Sequence, residues 1–312
     1  MIKRLQNHIA ESRYALPVTA VYAVVVWLLG GLLIHQWWLQ FACFALSAYF
    51  FVLLNNVNAL IRIYSRMVSC AFLVLSCMAC FLFDSFKGGA AQLCYIVSNV
   101  LLFRCYRDEK ATGWMFYASI CLGLASMLWV QMLYFVPFIW VLTATELSAL
   151  NHKTLAASLL GLLTPYWLSA GWFVYQQRTA DLVDHFAALA QWEPLCDYSH
   201  VTWPQVLVFA MTVLLLVTGI VHFWRRSYND KIRTRQLYAF FMTMALLTIV
   251  LLVLQPQHYD VLMRLLIINT APFAAHFVAL TYTKLTNIAF CVIVGLCLFI
   301  TAYCLWMSSS IF

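Results

Sequence analysis

Charged residues are scarce in this sequence of 312 residues. Asp, Glu, Lys and Arg make up 9% of it, whereas a soluble globular domain carries about 25%. Hydrophobic residues make up 65%, and apolar runs of about 20 residues, the length that spans a bilayer as a helix, recur with only short polar breaks. The sequence therefore predicts an all-α, polytopic transmembrane helical bundle, with residues 1–312 forming a single integral membrane domain.

Several familiar motifs are also missing. No Walker loop, G-x-G-x-x-G, H-E-x-x-H or G-x-S-x-G occurs, which disfavours ATP-driven transport and the common hydrolase chemistries. Of the eleven cysteines, only Cys196 falls in a substantial loop, so no disulfide framework is expected. Cys77 and Cys80 form a C-x-x-C inside an apolar run, where packing is the expected role. No metal site and no cofactor is indicated.

Apolar runs separated by polar breaks predict eleven spanning helices. The run 114–149 is ambiguous, because its only break is the weak segment from Trp129 to Gln131. A single helix there would be about 54 Å long, too long for a hydrocarbon core of about 30 Å. The predicted spans lie near residues 17–34, 38–57, 67–85, 90–106, 114–129, 131–149, 155–175, 204–224, 237–254, 261–283 and 286–307.

Positive charge gives an independent test of the number of crossings, because short cytoplasmic loops retain Lys and Arg. With two helices in 114–149, the outer side holds only Lys87, Arg178 and Arg264. With one helix, the eighteen basic residues divide almost evenly between the two sides of the membrane. The sequence therefore predicts about 11 spans, with the N-terminus cytoplasmic and the C-terminus outside. The basic residues on the predicted cytoplasmic side are Lys3, Arg4, Arg13, Arg62, Arg66, Arg104, Arg107, Lys110, Lys153, Arg225, Arg226, Lys231, Arg233, Arg235 and Lys284.

The formal net charge of +7 is explained by this asymmetry. A cytoplasmic surface rich in Lys and Arg faces anionic lipid headgroups. Membrane lipids are therefore the expected partners of the basic residues, and no nucleic-acid partner is predicted.

The longest loop, 176–203, lies on the predicted outer side. A helical projection places its apolar residues on one face and Asp181, Asp184 and His185 on the other, which predicts one interfacial amphipathic helix. The three polar residues stand at i, i+3 and i+4, so their side chains can converge as an acid–base pair requires. They are the candidate catalytic residues. The alternative is that they are simply the solvated side of that helix.

Three polar residues in the tenth predicted span are candidate substrate-binding groups. Arg264 lies one turn into the span, where it can bind an anionic group such as a phosphate or extend to the interface. Asn269 and His276 are seven residues apart and share a helix face, with Pro272 between them. Ionisable residues at membrane depth are functional candidates by default.

Three stretches resemble an uncharacterised family of multi-spanning membrane proteins from Bacteroidota. They are LLNNVNALIRIYSRM, TGWMFYASICLGLASMLWVQMLYFVPFIWVLTATEL and MRLLIINTAPFAAHFVALTY. The middle stretch, with Gly113, Gly123 and Pro137, also distantly resembles the scaffolds of type C glycosyltransferases. Those enzymes transfer sugars from polyprenyl phosphate carriers and place a catalytic carboxylate in a sizeable first outer loop.

The resemblance implies a multi-pass protein of the bacterial inner membrane that serves cell-envelope assembly. It would handle a polyprenyl phosphate-linked sugar, either as a divergent transferase or as a non-catalytic partner. The first outer loop here is short and contains no acid. A substitute carboxylate would have to come from Asp84, Asp181, Asp184 or Asp260.

Two other classes of function stay open from the sequence. One is a secondary transporter of a small solute that uses Asn269, Pro272 and His276 near mid-membrane. The other is a structural subunit of a membrane complex.

Overall fold

A computed structural model describes residues 4–177, 179–191, 195–199 and 201–309. Within these ranges the chain forms thirteen α-helices, joined by loops and short 3-10 turns, and no strand. Lys3 and Arg178 lie outside the described residues, as does the side chain of Asp181. The helices are α1 (Leu5–Glu11), α2 (Ala15–Leu29), α3 (Trp38–Asn58), α4 (Met67–Met78), α5 (Phe86–Leu102), α6 (Thr112–Leu128), α7 (Phe135–Thr145), α8 (His152–Tyr175), α9 (Thr179–Ala190), α10 (Trp203–Arg226), α11 (Ile232–Leu254), α12 (Tyr259–Leu280) and α13 (Lys284–Ser309).

Seven of the described helices are long and apolar enough to cross a membrane. They are α3, α5, α8, α10, α11, α12 and α13. An eighth span is added if α1 and α2, which are bent by 89° relative to one another, cross together. Helices α4, α6 and α7 are apolar but shorter. Each of the eleven predicted spans overlaps a helix, but the α-helices in the predicted spans 67–85 and 131–149 are shorter than those spans. The number of membrane crossings stays a prediction.

The ambiguous run 114–149 consists of two helices. Helix α6 ends at Leu128, and Trp129 has an extended backbone with φ −148° and ψ 101°. A 3-10 turn over Val130–Tyr134 then leads into α7. Pro137 lies in the first turn of α7, where its missing N–H costs no hydrogen bond. The sequence alternative of one continuous helix is therefore wrong.

Helix α12 lies at the centre of the bundle. Its apolar segment is 94% buried inside the protein, and it packs against α4, α5, α10 and α11. A Cβ on Gly219 of α10 would lie 2.7 Å from the Cβ of Phe273, so the lack of a side chain lets α10 approach α12 closely. A helix that is buried all round is expected to be apolar all round. The polar residues of α12 therefore need an explanation.

Helices α6 and α8 also pack through glycines. A Cβ on Gly123 would lie 2.7 Å from the Leu162 carbonyl oxygen, and one on Gly161 would overlap the Phe116 carbonyl. Small residues at such positions let two helix backbones approach, which favours association in an apolar solvent. The first helix of the middle stretch that carries the family resemblance, α6, is thus tightly packed against α8, which follows that stretch.

Loop contacts at one end of the bundle join the segments that carry most of the Lys and Arg. The Ser65 Oγ donates to the Ala10 carbonyl at 2.7 Å, and the Arg107 N–H donates to the Leu147 carbonyl at 2.8 Å. We name this end the basic end. Its connecting segments are 59–66, 103–111, 146–151, 227–231 and 281–283.

The other connecting segments contact one another at the opposite end. The Gln40 Nε2 donates to the Asp84 carbonyl at 3.1 Å, and the Trp129 Nε1 donates to the His258 Nδ1 at 3.3 Å. The Cys196 N–H donates to a carbonyl at the end of α11. Successive connections therefore alternate between the two ends.

Candidate functional site

Arg264 lies near the N-terminal end of α12 and is only 8% exposed. Its Nε donates to the Asp260 Oδ1 at 2.9 Å, its Nη1 to the Gln92 Oε1 at 3.3 Å, and its Nη2 to the Leu82 carbonyl. Each guanidinium nitrogen thus has an internal acceptor. The side chain joins α12 to α5 and to the turn that precedes α5. Its predicted role in substrate binding stays a prediction.

The partner carboxylate, Asp260, is also engaged. The Ser85 Oγ donates to the Asp260 Oδ2 at 2.5 Å. As the N-cap of α5, the Ser85 Oγ also accepts the Gly88 N–H at 3.1 Å. A Cβ on Gly88 would overlap the Asp260 carboxylate and lie 2.8 Å from the Arg264 Nε. Glycine at this position therefore allows α5 to approach the ion pair. Both oxygens of the Asp260 carboxylate are therefore engaged with neighbouring donors.

Asp84 is exposed beside this ion pair. Partial desolvation by the surrounding helix ends raises the pKa of its carboxyl, and the negative charge of Asp260 raises it further. The positive charge of Arg264 opposes both effects. The structure therefore favours protonation of Asp84, one of the possible substitute acids.

Asn269 is fully buried near the middle of α12. The Tyr95 hydroxyl of α5 donates to its Oδ1 at 3.2 Å. Within the described residues, the Nδ2 atoms of Asn269 and Asn99 and the Oγ1 of Thr270 are buried without a hydrogen-bond partner. Buried polar groups are usually satisfied, so a group of unsatisfied ones needs an explanation such as an ordered water or a ligand.

His276 is fully buried near the basic end of α12. Its Nε2 lies 3.1 Å from the Asp230 Oδ2, and the Arg62 Nη1 lies 3.8 Å from the Asp230 Oδ1. The ring of His222, on α10, is centred 5.3 Å from the His276 ring. The structure does not bring Asn269 and His276 to a common partner, although both lie on α12.

Sequence reasoning missed three of these neighbours: Arg62, His222 and Asp230. A signal for Asp230 was present, because it is the one acid in the segment WRRSYNDKIRTR. A carboxylate within a run of basic residues at a span boundary is a candidate for internal pairing. No comparable signal marked His222 or Arg62, because their proximity depends on how α10 and the segment 59–66 pack against α12.

Asp184 and His185 lie on α9, which forms a helix as predicted for the outer loop. Asp184 is exposed, whereas His185 is half-buried with its Nε2 3.1 Å from the Ser126 carbonyl oxygen. The Tyr134 hydroxyl donates to the Leu189 carbonyl. Polar groups of α6 and of the 130–134 turn thus contact α9 on the side of His185. The predicted convergence of Asp181, Asp184 and His185 stays a prediction. The side chain of Asp181 lies outside the described residues.

An apolar cavity of about 380 Å³ lies beside α12, near the basic end. It is formed by α1, α2, α4, α12 and α13, with one residue from α10. Apolar atoms line almost all of its wall. Sequence reasoning missed it, since a gap between apolar helices leaves no trace in the pattern of any one helix. Among its lining residues are Tyr14, Val18, Cys70, Ala71, Ala275 and Phe290.

The described residues thus offer three buried polar groups along α12 and one apolar cavity at its side. In this part of the chain, no three His, Cys, Asp or Glu side chains come together as a metal site requires. No family model matches the chain, and no curated protein or solved structure is significantly similar to it. The chemistry that the geometry permits is the binding of an apolar tail and the holding of protons or small polar groups in the core.

Proposed function

We propose that this chain is a multi-pass protein of the bacterial inner membrane that binds a lipid-borne substrate of the polyprenyl phosphate class during cell-envelope assembly. The observation that carries the proposal is the apolar cavity. Its volume of about 380 Å³ falls within the range of about 300–1,000 Å³ that ligand sites occupy. Its wall offers almost no hydrogen-bonding group. A molecule that fills it gains mainly by burying apolar surface, as an isoprenoid tail does.

Positive charge lies at the rim of the cavity. Arg13 stands between Ser12 and Tyr14, and Arg66 directly precedes Met67. Ser12, Tyr14 and Met67 all line the cavity. Basic side chains at a membrane surface attract anionic headgroups. In the proposed complex the phosphate therefore lies at the basic end, while the tail runs between α2, α4 and α13.

The proposal assigns binding, and not a defined transfer reaction, to the chain. Asp260 is hydrogen-bonded to Arg264 and Ser85. The other candidate groups, Asp84, Asp184 and His185, do not line the cavity. A divergent transferase that uses Asp184 predicts that Asp184→Ala abolishes an envelope glycan at a normal protein level. A non-catalytic carrier protein predicts that the glycan persists in this variant.

The proposal includes the topology of about eleven crossings, with the N-terminus inside and the C-terminus outside. Its support is the strong bias of Lys and Arg to one side, together with the alternation of connecting segments between two ends. Alkaline phosphatase fused after Phe312 is expected to be active, because it folds only outside the cytoplasm. The same reporter inserted in 227–231 is expected to be inactive. The reverse pattern would overturn the topology.

The lipid proposal is tested by mass spectrometry of lipids that co-purify with the protein in mild detergent. Ala71→Trp fills the cavity from α4 with a large side chain. The matched control is Ala20→Trp, which adds the same side chain to an exposed position of α2. We expect a polyprenyl phosphate or a glycolipid with the wild type and with Ala20→Trp, and its loss with Ala71→Trp.

A second pair of variants tests the headgroup. Arg13→Gln removes a charge beside the cavity rim, whereas Arg225→Gln removes a charge from an exposed position of α10 that does not line the cavity. Only Arg13→Gln is expected to reduce the retained lipid. If all variants and the wild type carry nothing but bulk phospholipid, the proposal fails.

A secondary transporter is the second candidate, because the buried polar group around Asn269 lies where a transporter binds its solute. The unpartnered Asn269 Nδ2 and Thr270 Oγ1 are the specific observation in its favour. It predicts solute uptake into vesicles that depends on a proton gradient and is lost in Asn269→Leu. A structural subunit predicts neither transport nor specific lipid, but a partner protein that co-purifies in fixed ratio.

A further inference from the structure

Four charged or titratable side chains meet where α12 reaches the basic end. The His276 Nε2 and the Arg62 Nη1 approach different oxygens of Asp230, at 3.1 and 3.8 Å. His222 completes the group, with its ring centre 5.3 Å from that of His276. These residues come from α10, from α12 and from the segments 59–66 and 227–231. We name them the His–Asp cluster.

The cluster is buried but lies close to the basic-end surface. The side chains of His276 and Asp230 are 0% and 2% exposed, whereas that of Arg62 is 32% exposed. Arg62 therefore forms the contact between the buried carboxylate and the solvent. A group in this position can exchange protons with one side of the membrane without opening the bundle.

Two ring nitrogens of the cluster have no hydrogen-bond partner. The Nδ1 of His276 and the Nε2 of His222 are both buried and unpartnered within the described residues. They belong to neighbouring imidazoles, which exchange protons through either nitrogen. Packing alone does not explain why two imidazoles leave ring nitrogens unsatisfied in the core, since each such atom carries a desolvation cost.

We propose that the His–Asp cluster is a proton-binding site that is loaded from the basic end. The ligand is a single proton from solvent. It adds to the neutral imidazole of His276, which then faces the Asp230 carboxylate as an imidazolium. The O–H bond of the donor in solvent breaks as the N–H bond on His276 forms. The inference is independent of the lipid proposal, because none of the four cluster residues lines the apolar cavity.

The charges around the cluster determine which ion pair a bound proton changes. Asp230 attracts the imidazolium, whereas Arg62 and Arg226 are positively charged and repel it. The Tyr238 hydroxyl of α11 faces the cluster too, but it donates to the Pro272 carbonyl at 3.1 Å. Arg62 and protonated His276 then compete for one carboxylate. Uptake of a proton therefore shifts Asp230 from Arg62 towards α12.

The test is solid-state NMR of the full-length protein in liposomes with ¹⁵N-labelled histidine. Ring nitrogen shifts separate the two neutral tautomers from the imidazolium, and histidine charges in the range of about pH 5–8. The His276 and His222 signals are assigned by their loss in His276→Gln and His222→Gln. We expect the His276 signal to change from neutral to imidazolium within this range.

Asp230→Asn supplies the decisive variant, because it keeps the shape of the side chain and removes its charge. We expect the imidazolium signal of His276 at pH 6 to be lost in this variant. The matched control is His152→Gln, at an exposed position where α8 begins, which is expected to leave the His276 and His222 signals unchanged. The wild-type titration is informative even if a variant does not fold. A His276 signal that stays in one form from pH 5 to pH 8 would overturn the proposal.

Discussion

Gly88 of α5 faces the Arg264 guanidinium of α12 so closely that a Cβ built on Gly88 would lie 2.8 Å from the Arg264 Nε. The ion pair of Arg264 with Asp260 fills the space that a side chain would take. The N-terminus of α5, capped by Ser85, is thereby held against α12. The close packing at this end of the bundle, opposite the basic end, therefore depends on the absence of a methyl group at Gly88.

Gly88→Ala is therefore expected to destabilise the protein, although alanine favours a helix more than glycine does. Overpacking of a well-packed site costs about 1–3 kcal/mol. Thermal unfolding in detergent, followed by the fluorescence of the twelve tryptophans, measures the effect. Gly295→Ala is the control, because nothing lies within 4 Å of its built Cβ. Equal unfolding temperatures for the two variants would contradict the close packing.

Arg264→Met is expected to lower the free energy of unfolding by about 1–3 kcal/mol, because the carboxylate, Gln92 and the Leu82 carbonyl lose their charged donor. The loss is smaller than for a fully buried pair, since the Asp260 side chain is 35% exposed and can be hydrated. Lys87→Met removes one positive charge from an exposed position at the same end. It is expected to have little effect in the same unfolding measurement.

Asp84→Asn is expected to stabilise the protein at neutral pH. The folded-state pKa of Asp84 is raised, so the folded protein binds this proton more tightly than the unfolded chain does. The tighter binding of this proton stabilises the folded protein below the ordinary aspartate pKa of about 3.9. This stabilisation is lost as the pH rises through the folded-state pKa of Asp84. The asparagine does not ionise and avoids the loss.

The pH dependence of unfolding checks the effect of Asp84. The unfolding temperature of Asp84→Asn should exceed that of the wild type at pH 7, and the difference should disappear as the medium is acidified. Because Arg264 lowers the pKa of Asp84, the difference should grow when Arg264→Met is added to both proteins. A difference that is constant with pH would show that the charge of Asp84 has no part in it.

Arg233→Met is expected to loosen the basic end. The Arg233 Nη2 donates to the Asn58 Oδ1 at 2.9 Å and to the Phe103 carbonyl at 3.1 Å. It therefore joins the start of α11 to the end of α3 and to the segment 103–111. Loss of hydrogen bonds to a charged donor costs about 1.5–3 kcal/mol. Arg235→Met removes the same charge from an exposed position two residues later. Hydrogen exchange of 103–111 should increase only in the Arg233 variant, and an equal increase in both would point to net charge instead.

His185→Leu is expected to release α9 from the bundle, because it removes the contact with the Ser126 carbonyl. Limited proteolysis within 176–191 measures this release, which should be faster in the variant. Asp184→Leu is the control at the neighbouring exposed position. If α9 were held only by its apolar residues, both variants would be cleaved as slowly as the wild type.

The sequence by itself determined the class of this protein and the positions of its helices. Apolar runs long enough to span a bilayer recur with short polar breaks, and each of the eleven predicted runs overlaps a helix. This succeeds because a backbone in an apolar solvent must satisfy its hydrogen bonds within the segment. The break at Trp129 could also be predicted from the sequence, because a single helix over 114–149 would be longer than the membrane is thick.

Only the tertiary structure decided which polar residues meet. Arg62, His222 and Asp230 come together with His276 although up to 214 positions separate them along the chain. Arg264 was predicted as a binding group, yet two of its three acceptors, Gln92 and the Leu82 carbonyl, lie in segments that the pattern of its own helix does not reveal. The contact of His185 with the Ser126 carbonyl likewise depends on how α9 packs against α6. Periodicity reports the environment of one helix, whereas pairing of buried charges and cavities arise from the way several helices pack together.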